Sequence, residues 1–159
     1  MIAGIISDTH DHLDNLRKAL EIFNNRKVEH IIHAGDYVAP FTWRVLKNFQ
    51  GGFTGIFGNN DGERVLLKEM FKGRIFAQPY VFSLYGKKIV IMHEHDVVDA
   101  LAESGEFDLV VYGHTHEPVI RKVNNTLIVN PGEVCGWLYG KPTAAVVNLE
   151  NMEAEIIPL

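Results

Sequence analysis

Five short apolar segments of this sequence each end at polar residues of a type that binds cations. They span residues 2–6, 30–34, 53–57, 88–92 and 109–112. The polar residues that follow them are, in chain order, Asp8 and His10, Asp36, Asn59 and Asn60, His93, and His114 and His116. Apolar runs of this length, rich in Ile, Val and Phe, predict buried strands. Because open α/β sheets bind ligands outside the carboxyl ends of their strands, we expect these polar groups to converge at one edge.

The first half of the sequence predicts strands that alternate with helices. Apolar residues at helical spacing after the first segment are Leu13, Leu16, Leu20 and Phe23. This pattern predicts a helix between the first two strands. Asp11 is predicted to cap its amino end, with Asp14 as the partner in an imperfect capping box.

Two more helices are predicted around the third strand. One begins near Pro40, because the first turn of a helix does not need the missing N–H of proline. Its expected buried face consists of Val38, Phe41, Val45 and Phe49. The other covers residues 63–72 and is predicted to be capped by Asp61 rather than to place Asp61 on a metal.

The second half predicts mainly antiparallel hairpins. Tyr85-Gly86-Lys87 and Asn124-Asn125 each separate two apolar runs, as hairpin turns do. A helix is expected at 96–104, and the last strands near the carboxyl end. Two sheets packed face to face, with helices outside, would bury all these runs. We therefore predict an α/β fold in a single domain, residues 1–159.

Composition excludes several classes of function. The longest apolar runs are strand-sized, well below the roughly 20 residues of a membrane span, and no signal-peptide pattern begins the sequence. The net charge is −5 and basic residues occur as isolated pairs, so no surface for a long nucleic acid is expected. The one cysteine, Cys135, cannot form an internal disulfide, which favours a reducing, cytoplasmic location.

The polar residues at the strand ends share a chemistry. Carboxylate, amide and imidazole donors without thiolate are typical of sites for Mn²⁺, Ni²⁺, Fe, Zn²⁺ or Mg²⁺. Asp8 and His10, like His114 and His116, are one residue apart, which on an extended segment directs both side chains to one side. Seven donors are too many for one tetrahedral ion and match two ions that share a carboxylate. We therefore predict a site for two divalent cations.

These motifs resemble those of the calcineurin-like metallophosphoesterases. D-x-H, G-D, G-N-x-D, H and G-H-x-H occur in this order from Asp8 to His116. The compact length and Asn130-Pro131-Gly132 are similar to the small bacterial and archaeal phosphodiesterase branch. The resemblance spans nearly the whole chain and implies a four-layer α/β/β/α sandwich of two mixed sheets flanked by helices.

The resemblance also implies roles for the residues. Asp8, His10, Asp36 and His116 would hold one ion, and Asp36, Asn59, His93 and His114 the other. A hydroxide bridging two ions about 3.5–4 Å apart would attack phosphorus in line. Mn²⁺ is the first choice of metal. Catalytic roles are expected for Asp36, Asn60 and His93, and substrate contacts for Asn59, Asn60 and His12. A small phosphoester, best a phosphodiester, is the expected substrate.

The sequence departs from the family pattern at two positions. Many members place a histidine, thought to protonate the leaving group, where this chain has Asn60. An amide cannot act as a general acid, a role typically worth about 10²–10⁴-fold. His12 or His95 are the alternative acids. Glu94 stands where relatives commonly have glycine, and its carboxylate could orient a neighbouring histidine or narrow the site.

Two other functions share these motifs. One branch of the family serves as a scaffold in a membrane-coat complex, so a non-catalytic metal-binding scaffold is the alternative to an enzyme. All seven ligand positions are filled here, which favours the enzyme. A nuclease would use the same chemistry, but the acidic charge argues against a long polyanion.

Several other residues have alternative interpretations. Tyr37, Trp137 and Tyr139 are predicted either to form a stacking platform for a nucleotide base or, for the latter two, to pack in a homodimer contact or in the core. His30 and His33 lie within a predicted strand and are expected to pack there. Cys135 is expected to be a small buried residue and not a nucleophile.

Overall fold

The computed structural model describes residues 1–159 and contains eleven strands and four α-helices. The strands are β1 (Ile2–Ile6), β2 (His30–His33), β3 (Gly52–Ile56), β4 (Ile75–Phe76), β5 (Tyr80–Leu84), β6 (Lys87–Ile91), β7 (Leu109–Val111), β8 (Pro118–Val123), β9 (Thr126–Pro131), β10 (Thr143–Asn148) and β11 (Glu153–Pro158). The helices are α1 (Leu13–Asn25), α2 (Trp43–Leu46), α3 (Arg64–Met70) and α4 (Val98–Glu103), and a 3₁₀ turn, Pro40–Thr42, precedes α2.

The strands form two mixed sheets. The first sheet has the order β11-β10-β1-β2-β3-β4, in which β1 to β4 are parallel and β10 runs antiparallel to both of its neighbours, β1 and β11. The second has the order β5-β6-β7-β9-β8, with β6, β7 and β9 parallel between antiparallel edge strands. Parallel neighbours end at the same edge of a sheet, so the loops after β1, β2 and β3 are adjacent, as are those after β6 and β7.

Alternation along the central strands divides the core into three apolar layers. In β2, Ile31 packs with the cluster under α1 to α3, whereas Ile32 packs between the sheets. In β7, Val110 packs towards α4 and Val111 packs between the sheets. Successive residues of a strand point to opposite faces, so strands buried on both faces must be apolar throughout. The predicted α/β/β/α sandwich of two mixed sheets flanked by helices is confirmed.

The prediction that Asp11 caps α1 is wrong. The capping residue is His12, whose Nδ1 accepts a hydrogen bond from the backbone N–H of Asn15 at 3.3 Å. Asp11 instead has a left-handed backbone, with φ of 55°, and donates its N–H to the carbonyl of Tyr37. The chain is therefore still turning at Asp11, and Asp14 pairs with Arg17 on the surface.

The region after β2 also differs from the prediction. The expected second helix is only one turn of α-helix behind a 3₁₀ turn, and Phe41 is exposed rather than buried. A 3₁₀ turn has three residues per turn, so the 3.6-residue spacing that predicted a buried Phe41 does not apply there. The two-residue strand β4 was too short to be recognised from the sequence.

None of the helices is both long enough and apolar enough to cross a membrane.

Close packing between α1 and the first sheet yields a stability prediction. A Cβ built on Gly4 of β1 would lie 2.6 Å from Cε2 of Phe23, a buried residue of α1. Gly4→Ala should therefore lower the free energy of unfolding by about 1–3 kcal/mol, the usual cost of overpacking a core. Urea denaturation measures this change.

Gly62→Ala is the matched control, because a Cβ at Gly62 would have no heavy atom within 4 Å. This variant should be as stable as the parent or slightly more so, since alanine restricts the unfolded chain. Equal stability of the two variants would contradict the packing assignment.

Candidate metal centre

Loops from both sheets approach one another closely at the carboxyl ends of the strands. A Cβ on Gly113, after β7, would lie 2.0 Å from Oγ of Ser7, after β1. A Cβ on Gly58, after β3, would lie 2.2 Å from Oδ1 of Asp36, after β2. Only glycine permits these approaches, and they bring together the polar residues that follow β1 and β7 and those that follow β2 and β3.

The first group of donors consists of Asp8, His10 and His116, whose ligand atoms all lie within 4.8 Å of one another. Oδ1 of Asp8 is 3.9 Å from Nε2 of His10 and 3.2 Å from Nε2 of His116. A carboxylate and two imidazoles therefore surround a common point.

The second group is centred on Asp36 and His93. Oδ2 of Asp36 is 3.3 Å from Nε2 of His93 and 3.6 Å from Nε2 of His10, so this carboxylate lies between the two groups. Oδ1 of Asn59 is 2.8 Å from Nε2 of His93 and 3.0 Å from Nδ1 of His114. The structure thus brings together all seven residues that the sequence predicts as ligands.

The hydrogen bonds of two histidines fix which ring nitrogen faces the cluster. Nδ1 of His93 lies 2.7 Å from the carbonyl oxygen of Ala34, which can only accept, so Nδ1 carries the proton. Nδ1 of His116 likewise donates to the carboxylate of Glu133 at 2.8 Å. In the neutral rings, each Nε2 lone pair then faces carboxylate or amide oxygens. Such an orienting partner on the far nitrogen is typical of metal-binding histidines.

The electrostatics of the cluster favour an added positive charge. Nε2 of His10 is buried and makes no hydrogen bond, although a buried polar group without a partner is costly. The neighbouring Asp8, followed by Cys135 and Glu133, raises the pKa of His116 to about 11 against the opposing effect of burial. A group of oxygen and imidazole donors that includes a buried nitrogen without a partner fits a divalent cation.

Five of these seven residues have left-handed backbones. Their φ angles are 51° for Asp8, 38° for His10, 61° for Asp36, 67° for His114 and 61° for His116. This conformation costs an L-residue about 1–2 kcal/mol, and such strain concentrates at functional sites. The expectation that these pairs lie on extended segments is wrong. The chain turns sharply at each donor, so that Nε2 of His116 faces Asp8 while Nδ1 of His114 faces Asn59.

Asp61 organises the loops of the site and does not cap α3 as predicted. Its carboxylate accepts the backbone N–H groups of Asp36 at 3.1 Å, Val38 at 2.7 Å and Gly58 at 2.8 Å. Helix α3 begins after Glu63 without a side-chain cap. The buried loops after β2 and β3 have N–H groups that no strand satisfies. The carboxylate of Asp61 accepts hydrogen bonds from these groups and is therefore not available to cap α3.

Asn60 contacts the carboxylate between the two groups. Its backbone N–H donates to Oδ1 of Asp36 at 2.8 Å, and its side-chain amide donates to Oδ2 at 2.7 Å. Burial opposes ionisation of Asp36, but hydrogen bonds from His93 and Asn60 hold the pKa of its carboxyl well below the usual value. Asp36 is therefore an anion at neutral pH.

The two alternative acids lie at the rim of the site. His12 is occupied as the cap of α1, and its ring centroid is 6.2 Å from that of Trp137. His95 is exposed, with its ring centroid 6.1 Å from that of His114. Neither belongs to the groups of clustered donors.

Glu133 is a site residue that the sequence analysis missed. It is fully buried and accepts hydrogen bonds from Nδ1 of His116, Sγ of Cys135 at 3.1 Å and the backbone N–H groups of Leu138 at 3.0 Å and Tyr139 at 2.7 Å. Burial opposes ionisation, but these four donors lower the pKa of Glu133 to about 2. Although Glu133, His116 and Cys135 could together hold a metal, the donors already occupy the carboxylate. It therefore orients His116.

A sequence signal for Glu133 existed in the Asn-Pro-Gly segment that precedes it. Asn130 donates to the carbonyl of Gly113 and to Oγ1 of Thr115, both at 3.0 Å, and so supports the loop that carries two of the histidines. An acidic residue directly after such a buried turn is unusual and needs donors nearby. Cys135 is buried, as predicted.

The aromatic residues separate into two environments. Tyr37 is fully buried and stacks on His33 with 3.8 Å between ring centroids, so its prediction as a stacking platform is wrong. His30 and His33 pack beside their strand, with hydrogen bonds to Thr54 and Thr9, as expected. Trp137 and Tyr139 are exposed, which excludes the core alternative for them.

Comparison with known proteins agrees with this geometry. Residues 1–152 match the model of the calcineurin-like phosphoesterase superfamily domain. A phosphodiesterase of Methanocaldococcus jannaschii is 43% identical, over 100% of this chain and 99% of the relative. The solved structure of an archaeal phosphodiesterase is 42% identical, covers 100% of both chains and superposes with a TM-score of 0.93.

A more distant solved structure shares the fold alone. Vps29 of Entamoeba histolytica is 17% identical, with a TM-score of 0.74 over 100% of this chain and 99% of that one. The match of the family model over nearly the whole chain, together with the 43% identical relative, decides the family. This chain belongs to the calcineurin-like phosphoesterases, hydrolases that use divalent metal ions.

Proposed function

We propose that this protein is a phosphodiesterase that uses two divalent cations. The observation that carries the proposal is the position of Asp36, whose Oδ2 lies 3.6 Å from Nε2 of His10 and 3.3 Å from Nε2 of His93. Each imidazole belongs to a separate group of donors, so one carboxylate serves both. The names of the archaeal relatives, which are phosphodiesterases, support the same activity.

The seven clustered residues would hold the cations. One ion would be held by Asp8, His10, Asp36 and His116, and the other by Asp36, Asn59, His93 and His114. When bound, two such ions polarise a phosphoryl group and provide a hydroxide nucleophile near neutral pH. Mn²⁺ is our first choice, because the donors mix carboxylate, amide and imidazole; Ni²⁺, Fe, Zn²⁺ and Mg²⁺ accept the same types of ligand.

The remaining residues of the site would bind and orient the ester. Asn59 and Asn60 are exposed beside the cluster, and the amide of Asn60 has N–H groups to donate to a phosphate oxygen. Asp36 and His93 would act through the geometry they impose. His12, whose ring centroid lies 6.2 Å from that of Trp137, would contact a substrate at the rim of the site.

What the site lacks limits the leaving groups that it can expel. No imidazole occupies the position of Asn60, and an amide does not protonate a leaving group. A substrate whose leaving group departs without a proton should therefore react best.

The scaffold alternative is less well supported. The resemblance to Vps29 concerns the fold alone. All seven ligand positions are filled in this chain and their side chains converge, which favours an enzyme over a scaffold with degraded ligands. The single buried cysteine fits the cytoplasmic location that we also propose.

Metal loading and substitution of Asp36 test the function. Elemental analysis of protein loaded with Mn²⁺ should find close to two ions per chain. Hydrolysis of bis-p-nitrophenyl phosphate should be abolished by EDTA. Asp36→Asn should reduce it by more than about 100-fold, because losing even an outer partner of a metal ligand typically costs about 10–100-fold.

Asp14→Asn is the matched control, since this carboxylate is exposed on α1 and belongs to none of the groups of clustered donors. It should retain full activity. If Asp36→Asn is as active as this control, Asp36 does not serve both cations.

The missing acid is tested by Asn60→His. If proton donation limits turnover, this variant should hydrolyse phenyl phosphate about 10²-fold faster, because that is the lower end of what acid catalysis typically contributes. The gain should be smaller for p-nitrophenyl phosphate, whose leaving group needs no proton. Asn60→Gln retains an amide and should show no gain. Unchanged hydrolysis of phenyl phosphate by Asn60→His would count against a limiting proton transfer.

The role of Glu133 predicts a change in metal affinity. Glu133→Gln removes the anion that accepts from Nδ1 of His116, so the affinity for Mn²⁺ should fall by about 10–100-fold. Calorimetric titration measures the affinity, and activity should recover at saturating Mn²⁺. Glu117→Gln, at an exposed acid beside His116, is the control. Equal Mn²⁺ affinities of the two variants would exclude this role.

A further inference from the structure

A cavity of about 340 Å³ adjoins the candidate metal centre and has walls of two kinds. Its lining residues are His10, Asn60, His116, Cys135, Trp137 and Leu138. His10, Asn60 and His116 belong to the cluster or contact it, and Trp137 and Leu138 add an apolar surface. Binding cavities commonly combine apolar walls with a few polar groups that fix the orientation of the ligand. This cavity therefore continues directly from the place where a phosphoryl group would react.

Trp137 and Leu138 are exposed to an extent that folding does not explain. Their exposed fractions are 67% and 62%, so most of their apolar surface contributes nothing to the core. The ring centroid of Trp137 is 6.0 Å from that of His10. An exposed apolar surface beside a reactive site is typical of ligand contacts.

The loop that carries Trp137 is held firmly. Glu133 accepts the N–H groups of Leu138 and Tyr139, and the N–H of Gly140 bonds to the carbonyl of Gly136 at 3.0 Å. Gly136 adopts a φ of 69°, where its lack of a Cβ relieves the strain. The same carboxylate of Glu133 fixes His116. The aromatic wall thus has a defined position relative to the donors, and a preorganised wall loses little entropy on binding.

The charge of the cavity defines its ligand further. No lysine or arginine lines it, so it offers neither of these cationic side chains to a second phosphate group. The face of an indole ring stacks on other flat rings, whatever their substituents and, for a nucleobase, whichever base it is. The cavity is therefore suited to a planar, weakly polar group attached to the phosphorus that reacts at the cluster.

We propose that this cavity is a subsite for an aromatic ester arm, a ring the size of a phenyl group or a single nucleobase, which stacks on Trp137 and packs against Leu138. The proposal rests on the proposed function, because it assumes that the phosphoryl group of the same ester occupies the metal centre. It makes aryl phosphodiesters and nucleotide phosphodiesters the preferred substrate class, ahead of alkyl phosphodiesters.

Binding of two phosphonates tests the subsite without any turnover. Phenylphosphonate and methylphosphonate carry the same head group and cannot be hydrolysed at their P–C bond. Calorimetry with Mn²⁺-loaded protein should show phenylphosphonate binding about five-fold tighter or more, as expected from stacking of one ring. Trp137→Ala should reduce this ratio to near one while leaving the affinity for methylphosphonate within about two-fold.

Tyr139→Ala is the matched control. Tyr139 lies on the same loop and is also exposed, at 49%, but it does not line the cavity, and its backbone N–H to Glu133 is retained in the variant. This variant should keep the affinity ratio of the parent protein.

Three results would overturn the subsite. They are equal affinities for the two phosphonates in the parent protein, failure of both to bind, and the same loss of ratio in Tyr139→Ala as in Trp137→Ala. Sedimentation velocity examines the contact between two copies: if Trp137→Ala dissociates a dimer and leaves the affinity ratio unchanged, this surface is a homodimer contact. Absence of hydrolysis with a preserved affinity ratio would refute the proposed activity alone.

Discussion

The geometry of the site depends on the carboxylate of Asp36, which receives contacts from both sheets. Asp36 follows β2 of the first sheet, and Nε2 of His93, which follows β6 of the second, lies 3.3 Å away. A carboxylate and an imidazole at this distance require that the two sheets pack with their strand ends in register. The apolar layer between the sheets, which includes Ile32 and Ile91, sets that register. Packing far from the cluster is therefore what positions its donors.

The donor cluster contains backbone strain and an unpaired buried polar atom, both of which lower the stability of the fold. Five donors have left-handed backbones, and the buried Nε2 of His10 makes no hydrogen bond within the protein. The surrounding structure compensates with hydrogen bonds from side chains to backbone: Asp61 satisfies three N–H groups, and Asn130 supports the histidine loop. Such a site is rigid before any ligand binds, because each strained residue is held by neighbours that are themselves fixed.

Much of this arrangement was predictable from the sequence, because strand patterns and strand-end residues obey simple rules. The three parallel strands at the start and the donors that follow them were predicted from periodicity and topology alone. The cap of α1 and the role of Glu133 could not be predicted, because each depends on which of several polar groups forms a given hydrogen bond in the folded chain. His12 caps α1 although Asp11 is the more usual capping residue, because the chain is still turning at Asp11. The partners of Glu133 lie two to six residues further along the chain, at Cys135, Leu138 and Tyr139, or on another loop, at His116, and no local sequence pattern records this combination.

The way in which Glu133 holds its loop has a consequence for how relatives can diverge. Two of its four partners are main-chain N–H groups, at Leu138 and Tyr139, and every amino acid except proline supplies one. Side chains at the tip of this loop can therefore be exchanged while the backbone and the imidazole beside it keep their places. A few substitutions at the surface of this loop would then change which esters bind, while the clustered donors stay in place.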